Sequence, residues 1–98
     1  MFVCIWEFRV TAGSERDFER IYASDGDWAR LFRRSPDYVG TDLYHDIADS
    51  RRYLTMDRWR SRTAFDALKN QWRDEYLTLD GRCTCLTDSE RLVGEIES

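Results

Sequence analysis

A chain of 98 residues with 42% apolar and 35% charged side chains, one proline and five glycines has the composition of a single folded domain spanning 1–98; a disordered tail, a collagen and a disulfide scaffold are excluded. No apolar run reaches the roughly 18–20 residues that a membrane-spanning helix needs, and the opening segment Met1–Glu7 is too short and too early charged for a signal peptide, so no membrane partner and a cytoplasmic location are expected. A net charge of −4 argues against nucleic acid as a partner, since that binding rests on neutralising phosphates.

Phe2 to Val10 reads as the first strand, with Phe2, Cys4, Trp6, Phe8 and Val10 on one face and Val3, Ile5, Glu7 and Arg9 on the other. Thr11-Ala12-Gly13 is a turn, and Ser14 to Asp17 has the spacing of a capping box at a helix start. Phe18, Ile21 and Tyr22 form that helix's apolar stripe. Asp25-Gly26-Asp27 interrupts it, and a second helical piece carries Trp28, Leu31 and Phe32 until Ser35-Pro36 ends it.

Tyr38 to Ala48 is expected as the second strand, with a kink at Gly40 and with Thr41, Leu43, His45 and Ile47 on one face. Asp49-Ser50-Arg51 turns into a third strand, Arg52 to Arg60, in which Tyr53, Thr55, Asp57 and Trp59 share a face. Ser61 is placed to cap the next helix. Phe65, Leu68, Trp72, Tyr76, Leu79, Cys83 and Leu86 then recur at helical spacing, with Gly81 as the expected kink. Arg91 to Glu97 is a short last strand with Leu92 and Ile96 on one side and Val93 on the other.

The order strand, helix, strand, strand, helix, strand predicts an α+β, ferredoxin-like, four-stranded antiparallel sheet with helices on one face. Both faces of the first strand carry apolar residues, and Leu54 and Met56 extend the face away from Trp59. A second copy is the simplest cover for that face, so a homodimer is predicted. Cys4, Cys83 and Cys85 are an odd set with no zinc or redox spacing, and neither a metal nor a cofactor site is read from the residues.

His45 is the single histidine and a candidate proton relay. Asp57 on an inward strand face needs a partner, with Arg30, Arg33, Arg34 or Arg58 available for ion pairing, or else serves as a general base. Tyr53 and Thr55 point the same way as candidate hydrogen-bonders to a substrate oxygen. Trp28, Trp72 and Tyr76 lie on helix stripes that serve either as core or as pocket wall. Arg51, Arg52, Arg58, Arg60 and Arg62 form a basic cluster that reads as solvated or dimer-facing, with capture of an anionic small molecule by the planar guanidinium forks as the alternative.

Several segments together resemble the antibiotic-biosynthesis monooxygenase-like family of the dimeric α+β barrel superfamily. They are Trp6 to Val10 leading to Gly13, Asp25 to Phe32, Tyr38-Val39-Gly40, and Arg52 to Ser61 followed by Phe65. The resemblance implies a dimeric α+β barrel and a small enzyme that oxidises a phenol- or quinone-like aromatic molecule with O2, without metal or flavin. Trp59 matches the strand-end Trp of the anthrone-oxidising and haem-degrading branches. Thr55 stands where the anthrone branch carries an Asn, and Phe65 stands where it carries a Tyr. The implied site has His45, Trp59, Asp57 and Thr55 as catalytic candidates, with Trp28, Tyr53, Phe65, Trp72 and Tyr76 against the substrate. Two other readings stay open on the same scaffold, a non-catalytic ligand-binding or accessory dimer and a non-oxidative cyclase or isomerase.

Overall fold

In the computed structural model, which describes all 98 residues, four strands form one antiparallel sheet in the order β2-β3-β1-β4. The strands are β1 (Phe2–Val10), β2 (Tyr38–His45), β3 (Arg52–Trp59) and β4 (Thr87–Glu97). Helices α1 (Glu15–Tyr22) and α2 (Asp27–Phe32) follow β1, while α3 (Arg62–Gln71), α4 (Arg73–Cys83) and a 3-10 turn (Thr84–Leu86) connect β3 to β4. This is the ferredoxin-like α+β arrangement that the element order predicts.

Alternation places β1 as expected. Phe2, Cys4, Phe8 and Val10 are buried beneath the helices together with Tyr53, Thr55 and Trp59 of β3 and Thr41 of β2. Aromatic rings fill most of this layer. Phe18 stacks on Tyr22 at 4.2 Å between centroids, and the edge of Phe8 meets Phe18 at 5.1 Å. Phe32 meets Trp59 edge-on at the same separation. Such offset and edge-on pairs add about 0.5–1.5 kcal/mol each beyond the area they bury.

Local chemistry differs from the sequence reading at several places. Ser14 makes no side-chain cap; the Glu15 carboxylate instead accepts from the Gly13 amide at 3.0 Å, because Gly13 sits at φ +91°, where a side chain would be strained. Ser61 does cap its helix, accepting from the Ala64 amide at 3.1 Å. Gly26 is fixed by crowding: a β-carbon there would meet the carbonyl oxygens of Ile21 and Arg20, so only glycine lets α2 start tight against the end of α1.

The second strand ends at His45 rather than Ala48. Asp46 turns the chain by accepting from the Ala48 and Asp49 amides, leaving Ile47 fully exposed. The long helical stripe breaks at Trp72 (φ −113°, ψ 39°) and not at Gly81, which lies inside α4. The break lets α3 follow β3 while α4 turns back over the sheet toward α2. The last strand is four residues longer at its start than predicted. A register shift between Ile5 and Trp6 leaves Val93 as an extra residue, so Leu92 pairs with Trp6 and Ile96 with Val3, on opposite faces. The kink at Gly40 is likewise a register shift between Tyr38 and Gly40.

The helix-free face carries Val3, Ile5, Leu54 and Met56, with Tyr44 and Ile96 exposed beside them. Around this patch the predicted basic cluster resolves into ion pairs. Glu7 lies between Arg52 and Arg91, Arg58 pairs with Asp42, and Arg52 also reaches Asp46 at 2.9 Å. Arg51 joins Asp88, Arg60 lies 4.0 Å from Asp37, and Arg62 joins Asp66 and Glu95.

Candidate active site

Between the sheet and the helices lies a half-open cavity of about 80 Å³. Trp6 and Phe8 of β1, Tyr22 and Trp28 of the first helical layer, and Phe65 and Tyr76 of the second form most of its wall. Its polar lining consists of Thr41, Thr55 and three carboxylates, Asp57, Asp80 and Glu90. Thr55 is buried, whereas Asp80 and Glu90 are exposed, which sets a deep end at the middle of the sheet and a mouth between α4 and β4.

Asp57 is central to the deep end. Strand pairing places it opposite Thr41 on one side and Cys4 on the other, all on the helix-facing surface. The Thr41 hydroxyl donates to Asp57 Oδ1 at 2.6 Å. That uses the only hydrogen of Thr41, so the Tyr38 hydroxyl, 2.6 Å from Thr41 Oγ1, is the donor in its own contact. The result is a directed chain, Tyr38 to Thr41 to Asp57, ending on a carboxylate that joins no ion pair. The expected arginine partners are elsewhere: Arg58, the neighbour on β3, points to the opposite face and holds Asp42, and Arg30 holds Asp27.

Burial pushes the Asp57 carboxyl up to about 6, against smaller opposing pulls from the Thr41 hydrogen bond and the Arg58 charge. A carboxylate at that value is largely ionised at neutral pH yet basic enough to accept a proton from a bound acid. Burial raises Tyr76 and Glu90 too. The Tyr76 hydroxyl is pushed up to about 12 by burial and then by the nearby Asp80 charge, and the Glu90 carboxyl rises through burial and then Asp80. Cys4, beside Asp57, is held as a neutral thiol by burial, which pushes it up to about 11.

The sequence candidates divide into two sets. Asp57, Thr55, Trp28, Phe65 and Tyr76 meet in the cavity wall. The other four candidates fall outside that wall. Trp59 is fully buried behind it, touching Phe32, Tyr38 and Phe65. Tyr53 is buried under Phe18, and Trp72 lies under the Arg34 guanidinium, 4.3 Å from the ring centroid. His45 is at the exposed end of β2, where it pairs with Tyr53, four residue pairs along the ladder from Thr41 and Asp57. There its ring stacks on Tyr53 at 4.2 Å and Nε2 lies 2.8 Å from the Ser50 carbonyl.

Sequence reasoning missed Tyr38 as a relay member and Asp80 and Glu90 as mouth carboxylates. Thr41 was placed on the correct face, and its register opposite Asp57 was the available signal. Nothing local marks Asp80 or Glu90, which converge only because α4 folds back over the end of β4. Trp28 adds a further feature: its indole N–H is buried with no acceptor. No helix is long and apolar enough to cross a membrane.

The fold is similar to that of several solved structures. The chain aligns over 99% of its length with 91% of SnoaB, a cofactor-independent oxygenase from Streptomyces nogalater, at TM-score 0.73 and 19% identity. It aligns over 99% of its length with 92% of PA3566 from Pseudomonas aeruginosa, at TM-score 0.72 and 17% identity. A structure described as an antibiotic biosynthesis monooxygenase matches over 100% of this chain and 98% of its own, at TM-score 0.71 and 15% identity. These likenesses are ones of fold. No functionally curated protein matches the chain in sequence. The sequence pattern of the antibiotic biosynthesis monooxygenase family, however, matches residues 1–76, and this chain belongs to that family.

Proposed function

We propose that the protein is a cofactor-independent monooxygenase acting on a phenol- or quinol-type aromatic metabolite, with the cavity as its active site and Asp57 as its general base. The observation that carries this reading is the lone carboxylate at the deep end of an aromatic cavity, fed by the Tyr38–Thr41 chain and with an affinity for protons near neutrality.

In the reaction, Asp57 takes the proton of a ring hydroxyl or of an activated ring CH2. The resulting anion delivers an electron to O2, and recombination forms a C–O bond to a peroxide. Asp57 returns its proton to the peroxide, then takes the remaining C–H proton as the O–O bond breaks; the electrons of that C–H bond form C=O, and the departing hydroxide takes up the proton as water. The net change is CH2 plus O2 to C=O plus H2O, so no external reductant is needed. Thr55, Tyr76 and Trp28 are among the lining residues that carry a hydrogen to donate to a developing oxyanion. Aromatic walls hold the ring and keep water out. His45 has no part in these steps; it stiffens the hairpin end against Tyr53.

The working unit is a homodimer joined through the apolar face opposite the helices. Val3, Ile5, Leu54 and Met56 supply the patch, and the ion pairs of Glu7 and Asp42 rim it.

Oxygen consumption with a panel of anthrones and hydroquinones in metal-chelated buffer tests the assignment. Wild type consumes O2, and Asp57→Asn lowers the rate by two to four orders of magnitude, the usual worth of a general base. Binding of the same compounds without O2 uptake would identify an accessory binder instead, and turnover without O2 uptake a cyclase or isomerase.

A further inference from the structure

The cavity is short, and strand register shows why. Side chains on the helix-facing surface of β2, β3 and β1 line up in rows across the sheet, successive rows lying about 7 Å apart at the strand rise per residue. Two of these rows carry a ring on every strand: Tyr38–Trp59–Phe2 at one end and His45–Tyr53–Phe8 at the other. Between them lie Thr41–Asp57–Cys4, with short side chains only, and Leu43–Thr55–Trp6, short at its centre. The floor of the cavity is therefore two rows long, from Asp57 to Thr55, between two blocks of buried rings.

The walls above that floor are rings too, and other rings brace them. Phe65 seats over the first block, 5.1 Å from Trp59 and 6.2 Å from Phe2 between centroids, and meets Phe32 edge-on at 5.9 Å. Trp28 and Tyr76 meet edge-on at 5.1 Å on the helix side. Widening the cavity separates pairs that hold each other in favourable edge-on or stacked geometry.

The space left is about 80 Å³. An enclosed apolar cavity of about 150 Å³ takes up benzene. This smaller one, open at its mouth, takes a single ring whose outer edge reaches Asp80 and Glu90. A second fused ring would project past those exposed side chains into water and gain no apolar contact.

We infer that the substrate is a single-ring phenol or hydroquinone, that fused-ring quinols and anthrones are refused, and that Phe65 is the residue that sets this limit. The inference rests on the cavity being the active site proposed above and narrows its substrate class. In its keto tautomer such a ring presents the CH2 that the proposed reaction converts to C=O, so the same balance of atoms holds.

A ladder of probes tests it: hydroquinone (one ring), 1,4-dihydroxynaphthalene (two) and anthrone (three). Dissociation constants come from tryptophan fluorescence and calorimetry on the intact protein under nitrogen, where no turnover occurs. Hydroquinone binds about tenfold or more tightly than the two-ring probe, although the latter is the more apolar, and anthrone binds most weakly. Phe65→Ala reduces the ratio of one-ring to two-ring affinity to below threefold. Phe65→Leu, which keeps an apolar side chain against Trp59, reduces it part of the way. Two-ring binding as tight as hydroquinone binding in wild type would overturn the size limit and leave the cavity assignment standing. An unchanged ratio in both variants, each with the wild-type far-ultraviolet spectrum, would overturn Phe65 as the limiting residue. Failure of all three probes at the limit of their solubility would overturn the cavity reading and this inference together.

Discussion

The two faces of the sheet are built from the same strands and solve burial in different ways. On the covered face, Phe2, Cys4, Phe8, Val10, Tyr53 and Trp59 find their partners within the chain, in the helices packed over them. On the open face, Val3, Ile5, Leu54 and Met56 find none, and charged neighbours fence them. The covered face also contains its own exception, the acid-lined cavity around Asp57. Apolar surface on one face is stability already realised. On the other it stays uncovered in the single chain, and the buried carboxylate of Asp57 inside the covered face detracts from stability.

Trp59→Ala would break the covered face most severely. The ring is fully buried among Phe32, Tyr38 and Phe65, and its loss leaves a large hole, so a cost of about 3–5 kcal/mol is expected in urea or guanidinium unfolding. Asp57→Asn should act in the opposite direction. The folded-state carboxyl titrates at about 6 against a usual value of 3.8. Folded protein therefore holds the proton more tightly than unfolded chain does. Wild-type stability falls as pH rises from about 4 to about 6, by about 2–3 kcal/mol at 1.36 kcal/mol per unit. The asparagine variant lacks that fall and is the more stable protein at pH 7, while losing activity. A flat wild-type profile across pH 4–6 would remove Asp57 as the buried base.

Smaller effects probe the open face and the edge. Met56→Glu places a charge at the centre of the exposed patch. Unfolding of the monomer should shift by less than about 1 kcal/mol, whereas sedimentation should move from dimer to monomer. Wild type sedimenting as a monomer at micromolar concentration would defeat the dimer. His45→Ala removes one stacked ring from Tyr53 at the exposed hairpin end, which costs about 0.5–1.5 kcal/mol and leaves ligand affinity within twofold. A tenfold loss of affinity would return His45 to the site.

Much of the fold was legible because periodicity is local. The alternation Phe2-Cys4-Trp6-Phe8-Val10 reports a strand with one face buried, whatever lies on top. Pro36 and Ser61 mark helix ends through backbone chemistry that acts within three residues. Errors came where tertiary packing overrode local signals: Trp72 broke the long helix although Gly81 was the weaker former, and the extra Val93 moved Leu92 and Ile96 to opposite faces. The site was half legible. Asp57, Thr55, Trp28, Phe65 and Tyr76 share strand faces and helix stripes that point inward, so the cavity wall followed from spacing. His45 shared such a face too, but face membership does not fix distance along a strand.

By itself the sequence determined the order of elements, the inward and outward sets of each strand, and an apolar excess that one layer of helices cannot cover. These depend on short-range geometry and on composition. Only the tertiary structure decided that Tyr38 and Thr41 form a relay onto Asp57, and that no arginine reaches that carboxylate. It alone brought Asp80 and Glu90 to one mouth. Those facts depend on strand register and on where α4 crosses the sheet, which are set by contacts between residues far apart in the chain.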